Sequence, residues 1–73
     1  MSAPGRLGRN LKRLREARGL SQPQLADASG VSVGFIRSLE QGHRREPTVG
    51  YALALARALG VTVDDLLREG DGA

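Results

Sequence analysis

The chain's 73 residues make one small domain, and 40% hydrophobic with 26% charged residues is the balance of a globular protein rather than a disordered one. The absence of cysteine excludes disulfides, thiolate metal sites and cysteine nucleophiles; the single histidine leaves no histidine pair for a metal; and one Phe, one Tyr and no Trp make no stacking platform for single-stranded nucleic acid. The net charge of +3 is uneven, because residues 1–45 hold nine bases against three acids (+6) and residues 46–73 hold two against five (−3), which suits a polyanion bound at one end and, by itself, also describes a solvated surface.

Residues 1–6 carry Pro4 and Gly5 and read as a loose N-terminal arm. From Leu7 the apolar positions Leu7, Leu11 and Leu14 form one helical stripe, with Arg9, Lys12, Arg13 and Glu16 opposite and Gly19 as the stop. Ser21-Gln22-Pro23-Gln24 is a dense start signal: Ser21 caps, Gln24 completes a capping box, Pro23 falls in the first turn, and Leu20 and Leu25 staple the entry. Ser29-Gly30 ends this second helix. A third starts at Ser32, stapled by Val31 and Ile36, turns Ile36 and Leu39 inward, and stops at Gln41-Gly42. After a basic loop, His43-Arg44-Arg45-Glu46, Thr48 caps a fourth helix carrying Ala52, Leu53, Ala56 and Leu59 and ended by Gly60. Thr62 caps a short fifth helix, stapled by Val61 and Leu66, whose buried face is expected to be Val63, Leu66 and Leu67. Residues 68–73 read as a frayed tail. No stretch alternates with period two, so the expected fold class is all-α, five helices over residues 7–67.

The second and third helices are joined by about four residues, Ser29-Gly30-Val31-Ser32, the connection of a helix-turn-helix spanning residues 22–41. The runs Gly19-Leu20-Ser21-Gln22-Pro23-Gln24-Leu25-Ala26, Gly30-Val31-Ser32 and Ile36-Arg37-Ser38-Leu39-Glu40-Gln41-Gly42, continued by Pro47-Thr48 and Ala56-Arg57-Ala58-Leu59-Gly60-Val61, resemble the XRE family, the lambda-repressor/Cro-like DNA-binding domains. The resemblance covers nearly the whole chain. It implies a compact five-helix domain that binds double-stranded DNA and regulates transcription, here expected as a repressor, with helix 33–41 in the major groove.

By the same resemblance Ser32, Val33, Gly34, Arg37 and Ser38 face base edges or nearby phosphates. Arg37 is the main candidate for specificity, since its fork fits guanine O6 and N7 together. Better-known phage repressors carry amide side chains where this chain has Val33 and Gly34, so fewer base-edge hydrogen bonds are available here. Gln22 and Ser21, at the start of the second helix, and Arg44, Arg45 and Thr48 around the loop after the third helix are the candidates for phosphate contact, and the resemblance implies that Gln22 also braces the recognition helix. Glu46 stands in that loop where relatives often carry a base. Phe35 flanks the core or lies against DNA, with core favoured. Arg15 and Glu40 are expected as a partly buried, structural ion pair linking the first and third helices.

Catalysis is not expected. Asp64-Asp65 at a helix start are ordinary dipole partners, His43 has no triad partner, and no phosphate-cradling loop follows a strand. No cofactor or metal is expected. No apolar run approaches the roughly 18 residues that span a bilayer and no signal-peptide core follows Met1, so the protein is expected to be cytoplasmic. One recognition helix covers little DNA, so a homodimer through the C-terminal helices is expected. The alternative function is an antitoxin or interaction module whose main partner is a protein, with DNA binding as autoregulation.

Overall fold

The computed structural model describes residues 6–42 and 49–68. Five helices and no strand occur among the described residues: α1 (Arg6–Ala17), α2 (Gln22–Ser29), α3 (Val33–Gln41), α4 (Val49–Leu59) and α5 (Val63–Leu67). The main packing interfaces run α1 to α3, α3 to α2, α2 to α4, α4 to α5 and α5 back to α1, so the helices close a ring around one core. Leu11, Leu25, Ile36, Leu39, Leu55, Leu59 and Leu66 are fully buried at its centre. Truncating any of them to alanine should cost about 2–5 kcal/mol.

The start signals act as the sequence indicates. Ser21 Oγ accepts from Gln24 N at 3.1 Å while Gln24 Oε1 accepts from Ser21 N at 2.8 Å, a reciprocal capping box. Ser32 Oγ accepts from Phe35 N at 3.1 Å, and Leu20, Leu25, Val31 and Ile36 all join the core. At the turn of the helix-turn-helix, Gly30 takes φ +76°, a left-handed conformation that a side chain disfavours, and its N–H closes α2 on Ala26 O at 2.9 Å.

Several expectations need correcting. Helix α1 begins at Arg6, within the stretch read as an arm; helix first turns carry polar residues without breaking the pattern, and Arg6 Nη1 donates to Leu67 O at 3.3 Å. On α4 the buried stripe is Ala52, Leu55, Ala56 and Leu59, and Leu53 is 40% exposed. One residue on from Ala52 the helix has turned by about 100°, which carries Leu53 off the core face. On α5 Leu66 is buried and Val63 partly so, but Leu67 is 47% exposed. A five-residue helix has room for one inward position per turn, and Leu66 takes it. The expectations for His43, Arg44, Arg45, Glu46 and Thr48 lie outside the described residues, as do the arm before Arg6 and the tail after Arg68.

Helix α5 is far too short to persist alone, and it is held from both ends. At its start Thr62 Oγ1 accepts from Asp65 N at 3.0 Å and Asp65 Oδ2 accepts from Thr62 N at 3.0 Å. At its end the buried Asn10 of α1 donates from Nδ2 to Leu66 O at 2.7 Å and to Arg68 O at 2.8 Å. Arg13 Nη2 in turn donates to Asn10 Oδ1 at 3.5 Å, which orients the amide. Carbonyls that the helix itself leaves unpaired are thereby satisfied by a side chain from across the core.

Candidate nucleic-acid interface

Helix α3 presents two chemically different sides. Ile36, Leu39 and Glu40 are buried, whereas Ser32, Gly34 and Arg37 are exposed and Val33, Phe35 and Ser38 are half-buried. Among the side chains of the exposed face, Arg37 is the long charged one. Ser32 uses an oxygen lone pair to cap α3, which leaves its hydroxyl proton for an acceptor outside the protein. Ser21 is in the same position at the start of α2. Phe35 packs against the core and against Tyr51 of α4, with ring centroids 4.7 Å apart and a 39° tilt, so its apolar surface is engaged within the protein.

A buried network fixes α3 to its neighbours. Arg15 Nε donates to Glu40 Oε2 at 2.8 Å and Arg15 Nη2 to Glu40 Oε1 at 2.9 Å, a two-pronged pair whose side chains are only 10% and 3% exposed. Arg15 Nη1 donates to Leu20 O at 2.8 Å, in the turn before α2. Gln22 Nε2 donates to Glu40 Oε1 at 3.0 Å. Hydrogen bonding to Glu40 raises the Arg15 pKa further above its already high value, against the opposing effect of desolvation. No buried side-chain N or O lacks a partner among the described residues. Glu40 therefore ties α1, the start of α2 and α3 together, and the residue expected to touch a phosphate, Gln22, is braced by α3.

The Asn10 tie and the identity of the group that Gln22 bonds escape a reading of the sequence. Asn10 has a signal: a polar residue three positions after Leu7 and beside Leu11 stands on the apolar stripe of α1, where only a satisfied hydrogen bonder is tolerated. For Gln22 the family resemblance implies a brace on the third helix, but no local pattern names its partner, Glu40, eighteen residues away.

The positive charge is distributed beyond the helix-turn-helix. Arg9, Lys12 and Arg13 are exposed on α1 and, with Gly8, Glu16 and Glu40, line an open groove. A second open groove lies between α2 and the start of α3, lined by Pro23, Gln24, Asp27, Gly30, Ser32 and Val33 among others. At α5, Arg68 is engaged with Asp65 at 2.9 Å and Asp64 at 3.8 Å.

A helix-turn-helix family model matches residues 11–66. The chain is 43% identical over 65 residues to the uncharacterized HTH-type transcriptional regulator y4dJ of Sinorhizobium fredii, covering 89% of this chain and 83% of that protein. It is 39% identical over 62 residues to the HTH-type transcriptional regulator DdrOP3 of Deinococcus deserti, of which it spans about half (47%). Among solved structures, the restriction-modification controller protein C.AhdI from Aeromonas hydrophila is similar with a TM-score of 0.78 at 36% identity, over 84% of this chain and 91% of that one. The SinR/SinI protein complex matches with a TM-score of 0.84 at 27% identity, over 90% of this chain and 64% of that one. The fold, the motif and these likenesses agree: the chain belongs to the XRE-type helix-turn-helix family of DNA-binding transcriptional regulators.

Proposed function

We propose that this protein binds a specific double-stranded DNA site with α3 in the major groove and acts there as a transcriptional repressor. The observation that carries the proposal is the two-sided character of α3: Ile36, Leu39 and Glu40 anchor it, and Ser32, Gly34 and Arg37 are left exposed. Arg37 takes a guanine edge, Ser38 and Ser32 supply short hydrogen bonders, and Val33 makes apolar contact with a thymine methyl. Gln22 and Ser21 at the start of α2, with Arg44, Arg45 and Thr48, hold the flanking phosphates and set the register. Two copies occupy two half-sites about one helical turn apart. Leu67, exposed on α5 beside the acidic end of the chain, is the apolar residue for a contact between C-terminal helices turned away from the phosphates. No helix among the described residues is long and apolar enough to cross a membrane, which fits a regulator working on cytoplasmic DNA.

A second proposal has one observation in its favour, the likeness to SinR in a complex with another protein. In it the main partner is a protein, such as a toxin, and DNA binding serves autoregulation. Selection of random duplexes at physiological salt, beside a pull-down from the native host, separates the two. An enriched two-half-site sequence supports the regulator; a stoichiometric protein partner with no enriched duplex supports the interaction module. Sedimentation on the best duplex tests the pairing, and a single copy bound there would refute the dimer.

A further inference from the structure

Nothing inside the described chain explains why residue 34 lacks a side chain. Gly19, Gly30, Gly42 and Gly60 have φ of +70°, +76°, +85° and +72°, where a Cβ is penalised. Gly34 does not share that conformation: it is the second residue of α3, with right-handed helical backbone. A Cβ built on it meets no side chain other than those of its two chain neighbours, and no backbone beyond its own turn, within 4 Å. Neither conformation nor packing calls for glycine, and glycine weakens a helix relative to alanine. The nine-residue α3 bears that loss on its exposed side with no internal return.

Position 34 shares this face with Arg37 and Ser38, three and four residues on. Helical side chains lean toward the N-terminus and cover the turn before their own Cα. The surface over residues 33 and 34 is therefore the surface that Arg37 reaches across. Any side chain at 34 would stand between Arg37 and whatever lies against the first turn of α3.

We infer that Gly34 is a specificity-determining residue: it keeps the first turn of α3 bare so that base-pair edges seat against the helix backbone and the Arg37 guanidinium reaches guanine O6 and N7. The inference rests on α3 being the recognition helix, as proposed above. A single added carbon lifts the helix from the groove floor and takes Arg37 with it, while phosphate contacts made from α2 are retained.

The test is Gly34→Ala in the full chain. Its Tm is measured without DNA, and its affinity by fluorescence anisotropy on the duplex that the wild type selects and on a scrambled duplex. The Tm should rise by a few degrees, since alanine suits this backbone better. Affinity for the selected duplex should fall by about tenfold or more, with the scrambled duplex unaffected. Adding Gly34→Ala to Arg37→Ala should then cost little further affinity, because the glycine acts through that arginine. Unchanged affinity at raised Tm overturns the inference, as does an equal loss on both duplexes, which would place residue 34 against phosphate. A lowered Tm overturns it too, by showing that the fold itself needs the glycine. A wild type that selects no duplex refutes α3 as a recognition helix, and that result is read before any variant is made.

Discussion

Removing either member of the Arg15–Glu40 pair should come close to unfolding the domain. Arg15→Ala leaves the Glu40 carboxylate, 3% exposed, with Gln22 as its remaining partner. A buried charge stripped of its counter-ion costs about 3–5 kcal/mol. Glu40→Ala should fall toward the lower end, about 3 kcal/mol, because Arg15 keeps its bond to Leu20 O and is more open to water. A domain of this size is stabilised by about 4–11 kcal/mol in total, so both variants should sit near the edge of folding. Urea denaturation followed by circular dichroism measures the single and double alanine variants, and the double-mutant cycle should give a coupling of about 1.5–3 kcal/mol. A coupling below about 0.5 kcal/mol would refute the argument, since residues that act independently add within that margin. Combining Arg15→Met with Glu40→Leu, which puts two apolar side chains of similar volume in place of the pair, should restore most of the stability. It should not restore DNA affinity, because Gln22 has lost the carboxylate that braces it.

Asn10→Ala removes two hydrogen bonds from the end of α5 and should cost about 1–3 kcal/mol; native-state hydrogen exchange should show α5 amides losing protection first, and unchanged protection there would contradict the tie. Arg37→Ala should cost about 1–3 kcal/mol on the selected duplex and relax preference at one base pair per half-site, whereas Arg44→Ala or Arg45→Ala should weaken all duplexes alike and reduce the salt slope by about one per lost phosphate contact. A loss of salt slope without relaxed preference at Arg37 would make it a phosphate contact. The Asp65 carboxyl is held below its usual pKa by hydrogen bonds from the Thr62 backbone and hydroxyl, against desolvation, with the nearby Arg68 adding the least. A depressed carboxyl pKa contributes stability that is present above the ordinary carboxylate range and lost as pH falls through the folded-state value. Asp65→Asn should therefore flatten the acid limb of the stability profile, and an unchanged limb would show that α5 docks independently of that charge.

Helix starts and stops are written in local chemistry, and they are legible. Ser21 with Gln24, Ser32, Thr62 and the glycines after α1, α2, α3 and α4 work over three or four residues, so their consequences need no knowledge of the rest of the fold. The helix-turn-helix follows from two such helices a few residues apart, and the chemistry of the exposed face from which residues remain once Ile36 and Leu39 turn inward. Thr62 is legible as a cap, while Asp65 reads only as a favourable charge at a helix start and its reciprocal bond with Thr62 comes from the structure.

Apart from the Arg15–Glu40 pair, which the family resemblance implies, the contacts between residues far apart in the chain are what the tertiary structure decided. Leu53 and Leu55 are equally apolar, and the phase in which α4 meets α2 and α5 buries one and exposes the other. Leu67 reads as core from its apolar side chain alone, and the docking of the five-residue α5 through Leu66 and Asn10 leaves it outside. Gln22 meets Glu40 because α2 packs on α3 at one particular crossing, and Asn10 reaches Leu66 and Arg68 because α1 and α5 close the ring. Caps and periodicity are properties of a few neighbouring residues; a crossing angle between helices is a property of every side chain in the interface at once, and no local pattern encodes it.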